Sequence, residues 1–240
     1  SGEEWNVASG PTMPPPSGTP NARDVIERYH LRSQLPAPIL RAIDSDDETT
    51  PSNTSASLRK HFVLLDNHIA VEAAANAART RGFITEIARD IADGRIEVGC
   101  DQLLARLDEL QRQNANRSVC VISGGEFACP VRGDGIGGRN AETALRLAIA
   151  AEEKRDEIGE FVTLCAGTDG IDGNSPAAGA IIDSTTIERS RKMGLDAGDF
   201  LNRSDSYSFL AALGEAIETG PTGTNVRDLR ILLSSPHSAE

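Results

Sequence analysis

From residue 61 onward, short apolar runs alternate with longer segments of helical spacing. That alternation restricts the chain to an α/β fold, a sheet with helices on its faces. Phe62-Val63-Leu64-Leu65, Val119-Cys120-Val121-Ile122, Phe161–Ala166 and Leu229–Leu233 read as buried strands, and Phe83–Ile91 alternates. Between them, Ile69–Arg81 is Ala-rich and stops at Gly82, and Asp101 is placed to cap a helix over Gln102–Arg112. A longer helix over Ala141–Lys154 puts Ala144, Leu145, Ala148 and Ile149 on one face. Gly124-Gly125 reads as a turn, and two or three short helices fill Ala177–Leu213. Upstream, Arg23–Tyr29 is helical behind an Asn21 cap, and Asp44–Ser57 is an exposed acidic and Ser/Thr-rich loop.

Composition narrows the function classes. With 24 Lys+Arg against 36 Asp+Glu, the net charge of −12 argues against nucleic acid or an anionic membrane as partner, since both want a basic face. A phosphorylated ligand is still allowed, because it needs only a local set of donors. No apolar run approaches the ~18 residues of a membrane span, and no signal-peptide pattern opens the chain. Cys100, Cys120, Cys129 and Cys165 form no CxxC pair and do not cluster with histidine, which argues against zinc. Cys120 and Cys165 lie in apolar runs and read as buried; nothing suggests a disulfide framework, so a reducing cytoplasm fits best.

Three Gly-rich loops lie at strand ends, where ligands of α/β sheets bind. The first, residues 133–140, contains G-x-G-x-x-G at Gly133, Gly135 and Gly138. A dinucleotide fold would want an acid ending the next strand ~20 residues on; Asp169 stands ~30 residues on. An anion cradle fits the loop better. Its glycines let backbone N–H groups converge on a helix N-terminus, Arg139 supplies a fork for phosphate or carboxylate, and Asn140 is placed as N-cap. The bland alternative is a plain turn with a solvated arginine. The second loop, 167–173, carries Asp169 and Asp172 three residues apart. The pair can hold Mg²⁺ with a phosphate, or one member can take a proton from a hydroxyl; two Asx-type turns would look the same. The third loop, 220–225, offers hydroxyls and an amide but lacks the lysine of a P-loop. Lys60, Lys154 and Lys192 all lie outside the loops, so Arg139 is the cation within them.

Gly-Gly-Arg-Asn-x-Glu (137–142), Gly-Thr-Asp-Gly-Ile-Asp-Gly (167–173) with Ala177-Ala178-Gly179-Ala180, Asp205-Ser206-Tyr207 and Gly-Pro-Thr-Gly-Thr-Asn-Val (220–226) follow one another in the chain. In that order they resemble the MOFRL-type glycerate 2-kinases, a family also labelled hydroxypyruvate reductase. Ser9-Gly10-Pro11-Thr12 and Ser123-Gly124-Gly125-Glu126 are similar to further motifs of that family. The resemblance implies ATP-dependent phosphorylation of D-glycerate to 2-phosphoglycerate with Mg²⁺, in a cleft between two α/β domains. Residues 118–240 resemble the MOFRL-like C-terminal domain, and residues 1–117 the end of a larger, Rossmann-like N-terminal domain. About half of a complete family member then lies outside this sequence, including the segment with the family's catalytic lysine, and the isolated chain is expected to be inactive.

Carried over by position, Arg139 stabilises the transferring phosphoryl group, Asp169 is its acidic partner and Asp172 the metal ligand. Ser9, Thr12, Gly137, Gly138, Asn140, Glu142, Thr168, Gly220, Thr222, Thr224 and Asn225 are the implied substrate and nucleotide contacts. Glycerate and ATP are the implied partners, and a homodimer is compatible with the resemblance. The sequence departs from the family at Ala141, where Gln is usual, at Asn174-Ser175-Pro176 and at Ser204. An NAD(P)H-dependent hydroxypyruvate reductase and a non-catalytic remnant lacking the lysine are the alternatives.

Overall fold

The computed structural model describes residues 17–45 and 62–236. The chain divides into two units, Ser1–Leu64 and Leu65–Glu240. In the first, α1 (Ala22–Arg28) opens with the expected Asn21 cap. The Asn21 side chain accepts from the Asp24 N–H, and Asp24 accepts from the Asn21 N–H in return. A second helix, α2 (Ala37–Asp44), starts after Pro36. Residues 46–57 of the expected loop lie outside the described residues, as does Ser9–Thr12.

The second unit is built on a mixed sheet of order β1-β3-β7-β4-β5-β6. The strands are β1 (Ile84–Ile87), β3 (Val119–Ala128), β4 (Phe161–Gly167), β5 (Gly179–Asp183), β6 (Ala216–Ile217) and β7 (Asp228–Ser234), with β2 (Asp93–Arg95) pairing the far end of β3. β1 and β2 run parallel to β3; β7 lies antiparallel between β3 and β4, and the remaining pairs are antiparallel. The period-2 alternation of β3 and β7 sorts side chains to two faces. Cys120, Ile122, Leu229, Ile231 and Leu233 pack with Val71 and Ala75 of α3 (Asn67–Thr80). Val119, Val121 and Leu232 join the larger core under α4 (Ile96–Gln113) and α5 (Arg139–Glu153). Short helices α6 (Arg155–Ile158), α7 (Thr186–Lys192), α8 (Ala197–Asn202) and α9 (Ser206–Ala212) complete the unit. The boundary expected at 117/118 falls inside it, since β1 pairs with Val119–Ile122 of β3.

Four local expectations are corrected. Phe62–Leu65 is not a strand but exposed coil, because among the described residues no strand pairs with it. Asp101 does not cap α4: the buried series Ile96, Cys100, Leu103, Leu104 and Leu107 carries the helix a turn further back, leaving Asp101 exposed on its surface. Gly124-Gly125 is not a turn but the middle of β3. A Cβ on Gly124 would lie 1.9 Å from the Asn67 amide oxygen, and one on Gly125 (φ +88°) 2.2 Å from the Ala92 carbonyl. Finally, the Ala-rich start of the 177–213 segment is β5 rather than helix, held between β4 and β6. Cys120 and Cys165 are buried as expected; burial pushes the Cys120 thiol up to about 12 and the Cys165 thiol up as well.

Candidate active site

The alternating directions of β3, β7 and β4 bring the Gly-rich loops to one end of the sheet. Asp228, at the start of β7, is in register with Gly125 of β3 and with Gly167, where β4 gives way to the second loop. Loop 133–138 precedes α5, loop 168–173 follows β4, and loop 220–227 enters β7. They are tied together directly. Asn174 donates to the Gly135 carbonyl and accepts from the Gly137 N–H, and the Thr222 N–H donates to the Asp169 carbonyl.

The N-terminus of α5 is not an open cradle. Its N-cap is Gly138, which has no side chain, so the first free N–H groups go to a carboxylate supplied by the second loop. Asp172 Oδ1 accepts from the Asn140 N–H at 2.9 Å and from Asn140 Nδ2 at 3.2 Å, while Oδ2 accepts from the Ala141 N–H at 2.8 Å. Asn140 is therefore a residue of the first turn and not the cap. Three amides of the loop itself are also engaged: Gly135 N–H with the Arg203 carbonyl, Ile136 N–H with Asp205 and Gly137 N–H with Asn174. The glycines serve close packing of the loops. A Cβ on Gly138 would sit 2.4–2.5 Å from Asp172, and one on Gly133 2.5 Å from the Arg203 carbonyl. Asp172 is 2% exposed. Burial raises its carboxyl above the usual carboxylate range, and the donors from Ala141 and Asn140 pull the other way.

Arg139, the first residue of α5, reaches across to β7. Its Nε lies 2.6 Å from Asp228 Oδ2 and its Nη2 3.4 Å from Oδ1, while Nη1 lies 2.9 Å from Glu126 on β3. The two carboxylates differ: the Asp228 side chain is 3% exposed, that of Glu126 48% and that of Arg139 30%. Burial alone would lower the Arg139 pKa; the hydrogen bond and charge of Asp228, with Glu126, reverse that and hold it above its ordinary value. Asp228 also accepts from Asn140 Nδ2 at 3.0 Å, so it links the Arg139 and Asp172 pairings. Below it on the same face of β7, Arg230 is fully buried. Its guanidinium stacks on the Phe127 ring at 3.5 Å and donates to Ser123 Oγ and the Gly124 carbonyl. Desolvation lowers its pKa.

Asp169 is half-buried, with Oδ1 accepting from the Ile171 N–H and Oδ2 from Asn225 Nδ2, each at 3.2 Å. Thr168 donates its N–H and hydroxyl to the carbonyl of Arg227, a residue held at φ +68°. Thr222 donates its hydroxyl to the Thr168 carbonyl and accepts from the Thr224 N–H; Thr222, Thr224 and Asn225 are exposed, and Gly220 is half-buried at φ +66°. Glu142 points away from the loops: it is buried and accepts from Arg146. Thus Arg139, Asn140, Asp169, Asp172, Thr168 and the 220–225 loop gather at one place, Glu142 stands apart, and Ser9 and Thr12 lie outside the described residues. Asp228 and Arg230 are not singled out in the sequence alone; two charges on either side of Leu229, at the head of an otherwise apolar run, are the available signal.

As a divalent-cation site the cluster does not fit. Both oxygens of Asp172, the expected ligand, are already taken up by donors from the start of α5, and among the described residues no group of three His, Cys, Asp or Glu could hold a metal ion. The dinucleotide reading of 133–138 fails for a topological reason as well. The βαβ unit it requires pairs the two strands in parallel, whereas here β7 separates β3 from β4. Among the described residues no helix is long and apolar enough to cross a membrane.

Residues 119–228 match the MOFRL family. The chain is 36% identical over 228 residues to the D-glycerate 2-kinase of Thermotoga maritima, covering 94% of this chain and 52% of that protein. An Agrobacterium vitis protein with a provisional hydroxypyruvate reductase name is 33% identical over 233 residues, covering 95% of this chain and 51% of that protein. The crystal structure of the glycerate kinase from Thermotoga maritima superposes with a TM-score of 0.75 at 33% identity, covering 96% of this chain and 54% of that one. The chain thus spans about half the length of these relatives. The MOFRL match spans the strands and loops that build the site, from β3 through α5 and β4 to Asp228, and it is over this segment, residues 119–228, that the chain is similar to the MOFRL family.

Proposed function

We propose that this chain forms one wall of a glycerate 2-kinase site that transfers the γ-phosphoryl group of MgATP to the 2-hydroxyl of D-glycerate. The observation that carries the reading is Arg139: a part-exposed guanidinium, fixed by Asp228, where three loops of a glycerate-kinase-like chain meet. Phosphoryl transfer rests on positioning and on stabilising charge at the equatorial oxygens, and a guanidinium fork can pair two of those oxygens at once. Asp169 is the acidic partner placed to accept the hydroxyl proton, since Asp172 is committed to the start of α5. Gly137, Gly138, Thr168, Gly220, Thr222, Thr224 and Asn225 form the surface offered to nucleotide and glycerate. Mg²⁺ enters with ATP as part of the substrate, and no step is assigned to a resident ion. The segment ahead of the second unit continues a larger, Rossmann-like domain of a longer protein, which supplies the facing wall, and the protein acts in the cytoplasm. A reductase is disfavoured by the same topology that rejects the dinucleotide loop.

The test is steady-state kinetics of glycerate phosphorylation in the longest polypeptide that carries this chain. Losing a contact made in the transition state lowers kcat and kcat/KM together, typically by ~10²–10³ in kcat for one charge-stabilising donor. Arg139→Lys, which keeps the charge opposite Asp228 but loses the fork, is expected to fold and lose activity on that scale. Wild-type kcat in Arg139→Lys at saturating ATP and glycerate would place the chemistry elsewhere.

A further inference from the structure

We infer that Asp228 is a positioning residue of this site, setting the plane of the Arg139 guanidinium so that Nη1 is left facing outward. The inference rests on the phosphoryl-stabilising role of Arg139 given above. Asp228 grips the guanidinium along one edge, through Nε at 2.6 Å and Nη2 at 3.4 Å. An edge-on pair fixes rotation about the end of the side chain, which a single contact would leave free. Among the described residues the outward edge meets Glu126, an exposed side chain free to yield to an incoming anion.

Asp228 is itself fixed from several sides. Its backbone lies in the ladder between Gly125 and Gly167, its carbonyl accepts from Asn67 Nδ2 at 3.0 Å, and its Oδ1 accepts from Asn140 Nδ2. Arg230, two residues on and buried on the same face, holds a second positive charge 3.9 Å from Oδ2. The carboxylate therefore meets two guanidinium groups, Arg139 and Arg230, together with one amide. Asp172 faces Asn140 from the other side, so a shift of Asp228 would be felt at the first turn of α5, where Arg139 itself begins. A partner that only stabilised the fold could sit anywhere along the Arg139 stem; this one grips the head group and leaves one nitrogen outward.

The first arm of the test observes Arg139 directly, by NMR of ¹⁵N-arginine-labelled chain. The Arg139 Nε–H signal is assigned by its loss in Arg139→Lys. It should exchange with solvent far more slowly than the Nε–H of exposed arginines, and in Asp228→Asn it should exchange at their rate. Asp228→Glu, which keeps the charge, should restore slow exchange in part. The second arm measures kcat and KM in the same polypeptide used for Arg139. Asp228→Asn should lower kcat by about 10–100-fold, with KM for ATP and glycerate within about twofold, the signature of lost transition-state stabilisation. Fast Nε–H exchange in the wild type overturns the inference, and needs no variant to fold. So does a full loss of kcat in Arg139→Lys beside unchanged kcat in Asp228→Asn. Unchanged kcat in Arg139→Lys with slow wild-type exchange instead overturns the kinase role of Arg139 and leaves the positioning geometry standing.

Discussion

At the scale of single residues, Asp172 shows how a loop acid becomes part of a helix. The first turn of α5 needs acceptors for its N–H groups, and a buried carboxylate answers both the hydrogen bonds and the local positive end of the helix. Burial nevertheless holds its pKa above the unfolded value. A raised native carboxyl pKa means the folded state binds the proton more tightly. Its contribution is therefore fully present below the unfolded pKa and is lost as pH rises through the native one. Asp172→Asn removes the titration together with part of the cap, which costs ~0.5–2 kcal/mol at an N-cap. The stability gap between wild type and Asp172→Asn, measured by urea unfolding from neutral to mildly acidic pH, is expected to widen on acidification. A gap that narrows would mean the α5 donors outweigh burial. Arg139→Ala would not be neutral for stability, because it leaves Asp228 buried without its principal partner.

Among elements, the contact between α4 and β3 carries a clear test. Gly99 stands inside α4, where Ala would favour the helix by ~1 kcal/mol, yet a Cβ there would lie 2.3–2.8 Å from the Phe127 ring. Phe127 has little room to retreat, since its ring is buried and the Arg230 guanidinium lies over it. Overpacking of this kind costs about 1–3 kcal/mol, so Gly99→Ala should be destabilising by up to about 2 kcal/mol net. The urea midpoint should fall with an unchanged m-value; a raised midpoint would show that the ring moves freely. This contact also marks what a sequence can and cannot reveal. Elements with local signals were legible: the Asn21 cap, the stop of α3 at Gly82, the apolar runs of β3, β4 and β7, and the three loops at strand ends. The unread features depend on partners far along the chain. Asp172 serves a helix 31–32 residues earlier, and Asp228 serves an arginine 89 residues away. Phe62–Leu65 had the composition of a strand, but only a neighbouring strand could make it one. The glycines of 133–138 announced close approach without saying that the neighbour would be protein.

For the molecule as a whole, the net charge of −12 is not reversed at the loop cluster, where acids outnumber the cations. Around Arg139 stand the acids Glu126, Asp228, Asp172 and Asp169 against the further cations Arg227 and the buried Arg230, and the Arg139 fork is already shared between two of those acids. Such a wall gives an approaching polyanion no long-range pull. Electrostatic steering speeds encounters when partner charges are opposite and is weakened by salt; here the sign is reversed. Under the proposed kinase function, the association rate of ATP, followed by stopped flow, should rise from low to physiological ionic strength, and a fall would reveal an attractive field that these residues do not generate. In the proposed site, an Arg139 paired in this way would act at contact range only, governing how long an anion stays and not how quickly it arrives.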